Sequence, residues 1–227
     1  MEELNWELFF EEWKQKYGIH VFAKDGIICP AEYEEVLFVL KDVHNASKDQ
    51  AIDLRNSLQS AADEGRTWFP AARWAAVLLD GKPAEDMTHP LQHQYMRRIA
   101  VMNLKKEAGG PTVSREDVMQ YAESQREEIL SEIQACHPRM VLACSHDVFD
   151  ALAQKVFMLG EDYAYRRIEL SDKMRSYGRC FDISSFLGSN SPVYVIEYRH
   201  PNQCGKQGTV REHDENMLRI RKFLLGR

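Results

Sequence analysis

The sequence predicts an α/β fold, a three-layer α/β/α sandwich around a four-stranded parallel central sheet, and two observations carry that expectation. Four short segments are almost continuously apolar and rich in β-branched residues, as strands covered on both faces are. Helical stretches separate each of them from the next, and parallel neighbours need crossovers of that length. The strands are VLFVL at 36–40, IAVMNL at 99–104, MVLACS at 140–145 and VYVIEY at 193–198.

The helices follow from spacing and end signals. The acidic, amphipathic opening MEELNWELFFEEWKQKYG makes residues 1–30 a helical extension. AIDLRNSLQSAADEG at 51–65 places Ile52, Leu54, Leu58 and Ala61 on one side and ends on glycine. PAARWAAVLLDG has proline in its first turn and glycine at its end. The stretch 114–138 opens with Ser114 and Glu116–Asp117 and repeats Val118, Ala122, Ile129 and Ile133 at helical intervals. Residues 147–159 and 214–225 read as two more helices, and DGKPAEDMTHPLQH at 80–93 reads as a loop.

Composition bounds the function. The chain has 227 residues, 44% apolar and 28% charged, which fits one globular domain over 1–227. No apolar run approaches the roughly 20 residues that cross a bilayer, and the N-terminus has no apolar signal, so no membrane and a cytoplasmic (intracellular) location are expected. Five cysteines without CxxC spacing give neither a disulfide framework nor a zinc or iron–sulfur site, and buried thiols are expected for most. A net charge of −6 argues weakly against a nucleic-acid partner. The charge is uneven, however: residues 165–227 carry 12 Lys/Arg against 7 Asp/Glu, which permits a basic face near the C-terminus. His89 and His93 are four apart but flank Pro90, so a loop is expected there and no metal pair. Trp68 and Phe69 could stack on a base at the crevice, but beside Trp74 in an apolar stretch the reading as core is favoured.

Ligands of open α/β sheets bind beyond the carboxyl ends of the strands. There the sequence places Lys41–Asp42–Val43–His44–Asn45, Asn103–Leu104–Lys105–Lys106, Ser145–His146–Asp147 and Arg199–His200–Pro201–Asn202. A carboxylate can orient water and stabilise a cation, an amide can read a base edge, and an imidazole can donate to an oxyanion. That division of labour suits cleavage of an N-glycosidic bond.

On these residues the chain resembles the uracil-DNA glycosylase superfamily. LKDVHN stands where members carry GQDPYH, GINPG or GEAPG, AVMNLKK supplies an asparagine after the second strand, and YRHPNQ supplies the His-Pro of the family's HPS motif. The likeness runs over about residues 33–225. It implies a DNA glycosylase of base-excision repair, a monomer acting without metal or cofactor on DNA that contains uracil or a related damaged base. Asp42 and His200 would be catalytic, Asn103 and His44 would meet the base, and Lys105, Lys106, Arg199 and Asn202 would contact DNA. Leu40 and Val43 replace the glycine and proline of the first motif, and Asn202–Gln203 replace the Ser-Pro that helps pinch the DNA backbone. An inactive glycosylase-like module that binds nucleic acid or a nucleobase-like ligand is the alternative, and hydrolysis of free nucleosides is a third reading.

Overall fold

The computed structural model describes residues 4–43, 52–59, 67–83, 87–107, 113–204 and 208–226. Nine strands and nine helices lie among them. The strands are β1 (Ala23–Lys24), β2 (Gly26–Ile27), β3 (Val36–Asp42), β4 (Ile52–Asp53), β5 (Ala100–Lys105), β6 (Met140–Cys144), β7 (Arg166–Arg167), β8 (Arg179–Asp182) and β9 (Tyr194–Tyr198). The helices are α1 (Trp6–Tyr17), α2 (Leu54–Gln59), α3 (Trp68–Asp80), α4 (His89–Arg97), α5 (Arg115–Ser124), α6 (Arg126–Cys136), α7 (His146–Ala151), α8 (Ser184–Leu187) and α9 (Val210–Leu224).

The four expected strands are β3, β5, β6 and β9, and they pair in parallel in the order β5-β3-β6-β9. The sheet is larger than expected. It has seven strands and mixed direction, because β2 adds antiparallel to β5 and the β8–β7 ribbon adds antiparallel to β9. A separate two-residue ladder joins β1 to β4.

Alternation along the central strands sorts their side chains into two cores. Val36, Phe38, Leu40, Leu142, Ile196 and Tyr198 pack with α2, α3, α4 and α9, around the fully buried Trp74. Leu37, Val39, Met102, Val141, Ala143 and Val195 pack with α1, α5, α6 and α7. Helices therefore cover both faces, which explains why these strands read as unbroken apolar runs.

Several expectations need correction. Residues 1–30 contain the expected helix, but they are more than an extension: Phe10, Trp13 and Phe22 are core residues and β2 lengthens the sheet. The loop expected at 80–93 gives way to α4 from His89, since proline is well tolerated in a first helical turn. The helix expected over 114–138 breaks at Gln125, whose φ of −116° leaves the helical region and whose side chain accepts from the Trp13 indole. The helix expected to start near Asp214 begins at Val210, behind a Thr209–Glu212 capping box. The expected glycine end of 51–65 lies outside the described residues. Trp68 and Trp74 are buried, while Phe69 is half-buried against His89. Four of the five cysteines are buried thiols and Cys204 is half-buried.

Candidate functional site

The order of the strands sets the site. From β3 the chain crosses to β5 on one side, whereas from β6 it passes to β7, β8 and β9 on the other. The carboxyl ends of β3 and β6 therefore border the point where the winding reverses, the usual crevice of an open α/β sheet. Asp42 ends β3, Ser145 and His146 follow β6, and Arg199 and His200 follow β9.

Lys41 and Asp42 point to opposite faces of the sheet. Lys41 turns toward α7, where its ammonium donates to Asp147 (2.5 Å) and to the Val113 carbonyl (3.3 Å). Asp42 is half-buried at the end of the strand, in register with Lys105. Ser145 caps α7, its hydroxyl accepting from the Val148 N–H at 3.2 Å.

His200 is half-buried and caps the short turn Pro201–Gln203, with Nδ1 accepting the Asn202 N–H at 3.2 Å. An imidazole that accepts at Nδ1 carries its proton on Nε2 when neutral. This hydrogen bond leaves Nε2 as the ring nitrogen that can donate.

The most developed polar network at this edge centres on a residue that spacing and motif do not single out. Glu197 is fully buried in β9, between Val195–Ile196 and Tyr198. Its carboxylate accepts from Arg179 Nε and Nη2, both at 2.7 Å, and from His146 Nδ1. Arg179 also donates to Asp150 at 2.9 Å, Asp150 pairs with Arg115 at 2.7 Å, and Arg115 faces Asp147 at 3.8 Å. Alternating charges thus run from Lys41 at the end of β3 to Glu197 in β9. Because a carboxylate only accepts, His146 carries hydrogen on Nδ1, and its ring lies flat on Tyr177 (4.3 Å, 12°) with its side chain 42% exposed.

Gly178 makes this arrangement possible. It joins Tyr177 to Arg179 at φ +85°, and a Cβ there would lie 2.6 Å from the Ile168 carbonyl oxygen. Gly178→Ala should cost about 2 kcal/mol or more through backbone strain and that clash, measurable as a lower midpoint of urea unfolding. An unchanged midpoint would show that the strand can shift to admit the methyl group.

Several expected site residues are placed elsewhere. Asn103 is 2% exposed, and its backbone N–H (2.7 Å) and side-chain amide (3.1 Å) both donate to Asp25. Lys106 is not on a DNA-facing surface: it is fully buried between Asp25 and Glu132, 2.8 Å from the latter, and beside the Trp13 ring. Burial opposes its charge, but the two carboxylates outweigh that and hold its pKa above the ordinary value. Burial pushes the Glu132 carboxyl well above the usual range, and Asp25 reinforces the shift against the Lys106 ammonium. Arg199 is also turned inward, 7% exposed, donating to the Lys173 carbonyl at 2.8 Å and lying over Tyr177. Lys105 is half-buried, 3.9 Å from Glu107, and Asn202 is exposed. His44 lies outside the described residues. Among the expected site residues that are described, Asp42, Lys105 and His200 are half-buried at this edge and Asn202 is exposed.

Beneath the His200 turn, Tyr198 meets His213 Nδ1 at 2.9 Å, and the His213 ring stacks on Trp74. Burial foremost, with Arg199 nearby, lowers the His213 pKa from 6.5 to about 4. The unfolded chain therefore binds the proton more tightly. The stability this histidine contributes is complete above pH 6.5 and is lost as pH falls from 6.5 towards 4, by at most about 3 kcal/mol. His213→Phe should flatten that part of the stability–pH curve, and an unaltered slope would assign it to other groups.

Among the described residues, no cluster of three or more His, Cys, Asp or Glu could hold a metal, and no helix is long and apolar enough to cross a membrane. A cleft of about 1130 Å³ opens at the opposite, amino edge of the sheet, lined in part by Val36, Met140, Tyr194 and Phe223. Its arginines are engaged, Arg166 with the Tyr194 hydroxyl and Arg139 with Glu35. Comparison of the chain with models of protein families and with curated proteins returns no match.

Proposed function

We propose that the chain is a DNA glycosylase that hydrolyses the N-glycosidic bond of uracil or a related damaged base, working at the crevice where β3, β6 and β9 end. The observation that carries this reading is Asp42 at the carboxyl end of β3, beside the winding reversal. Asp42 orients and activates the attacking water and faces the cationic sugar. His200 supplies its Nε2–H to the oxygen of the departing base, a role supported by the hydrogen bond that occupies Nδ1. β3 and β9 are separated by β6 alone, so Asp42 and His200 follow strands whose backbones run about 10 Å apart, on either side of the β6 end. Of the expected DNA contacts, Lys105 and Asn202 remain suited to phosphate.

A second reading is favoured by particular observations. Asn103 is committed to Asp25, Lys106 and Arg199 are turned inward, and the chain is net negative, as a binding module without glycosylase chemistry could be. Labelled oligonucleotides with uracil, hypoxanthine, xanthine or thymine opposite each base separate the two readings. Alkali-labile sites from one substrate support the glycosylase, and intact strands across the panel with measurable binding support the module.

A further inference from the structure

We infer that the open face of His146 is a stacking subsite for a nucleobase, next to the place where the bond is broken. This rests on the reading that the ligand is nucleic acid, and it holds whether or not that ligand is cleaved.

The argument begins with rigidity. An exposed histidine normally samples several rotamers, but here one ring nitrogen is held by the fully buried Glu197 and one ring face is covered by Tyr177 at 4.3 Å and 12°. Tyr177 is itself held, because Arg199 lies over its ring at 5.0 Å and is tied to the Lys173 carbonyl. Glu197 cannot turn away, since Arg179 grips both of its oxygens. With one ring face on Tyr177 and Nδ1 on Glu197, 42% of the His146 side chain is still exposed to a ligand.

Position completes the argument. His146 directly follows Ser145 at the carboxyl end of β6, the strand that lies between β3, which ends on Asp42, and β9, which His200 follows. A fixed flat ring at this crevice suits a planar heteroaromatic ligand. Stacking on such rings is tolerant of base identity and contributes without ordering a mobile side chain. His146 would thus bind a base flanking the one attacked, through its ring and not through proton transfer.

The test is binding of a single-stranded oligonucleotide carrying one 2-aminopurine, whose fluorescence falls on stacking, to the wild-type protein and to His146→Ala, His146→Gln and His146→Phe. The expected result is quenched fluorescence with wild type, roughly 5- to 100-fold weaker binding with the alanine and glutamine variants, and recovery with phenylalanine. Equal affinity of wild type and His146→Ala overturns the subsite and leaves the proposed function standing. Recovery by glutamine but not phenylalanine also overturns it, since hydrogen bonding and not stacking would then be at work. No binding by wild type at low salt overturns the subsite and the nucleic-acid reading together.

Discussion

Replacing Lys106 by methionine is expected to lower the free energy of unfolding by about 3–5 kcal/mol, the usual consequence of removing one member of a buried ionic group. The ammonium lies between two carboxylates, and all three side chains are fully buried. Without it, Asp25 and Glu132 face one another in a low-dielectric interior, and Asp25 is also the acceptor that orders Asn103. The loss should shrink as pH falls, because protonating the stranded carboxyls relieves it. Lys105→Met is the control, since that lysine is only half-buried and 3.9 Å from Glu107 and should cost less than about 1 kcal/mol. Urea unfolding at pH 7 measures both, and equal midpoints for the two variants would mean that Lys106 does not lie in the interior.

Asp42→Asn is expected to reduce turnover by at least about 100-fold while leaving the fold and DNA affinity nearly intact. The amide keeps the size of the carboxylate but can neither take a proton from water nor balance a positive sugar. The site is half-buried at the end of a strand whose residues from Val36 to Leu40 are buried and apolar, and those five residues anchor the strand in the core. Single-turnover kinetics with a saturating excess of protein isolate the chemical step. A variant as fast as wild type would remove Asp42 from the mechanism.

The central strands were legible because their surroundings are uniform. VLFVL and MVLACS are covered on both faces, so burial and apolar composition coincide. The short outer strands β2, β8 and β7 were not, since two to four residues such as Arg166–Arg167 have no readable period. The break at Gln125 was also hidden, because the residue that draws its side chain away lies 112 positions earlier.

At the site, the strand-end rule located Asp42 and His200 but could not give side-chain direction beyond the last paired residue. Lys106 and Arg199 were therefore read as surface cations, though the chain turns both inward. The Glu197–His146 contact joins residues 51 apart through the pairing of β6 with β9. Its one trace in the sequence is a lone acid in the apolar run VYVIEY, beside the Ser145–His146–Asp147 strand end.

The measurement that tests the central claim most directly is product analysis in water enriched in oxygen-18, with a uracil-containing oligonucleotide first and the other damaged bases after it. The account predicts free base released in equal amount to abasic sites, with one heavy oxygen on the sugar carbon that held the base. Absence of free base from every substrate, or heavy oxygen in phosphate instead, would contradict it.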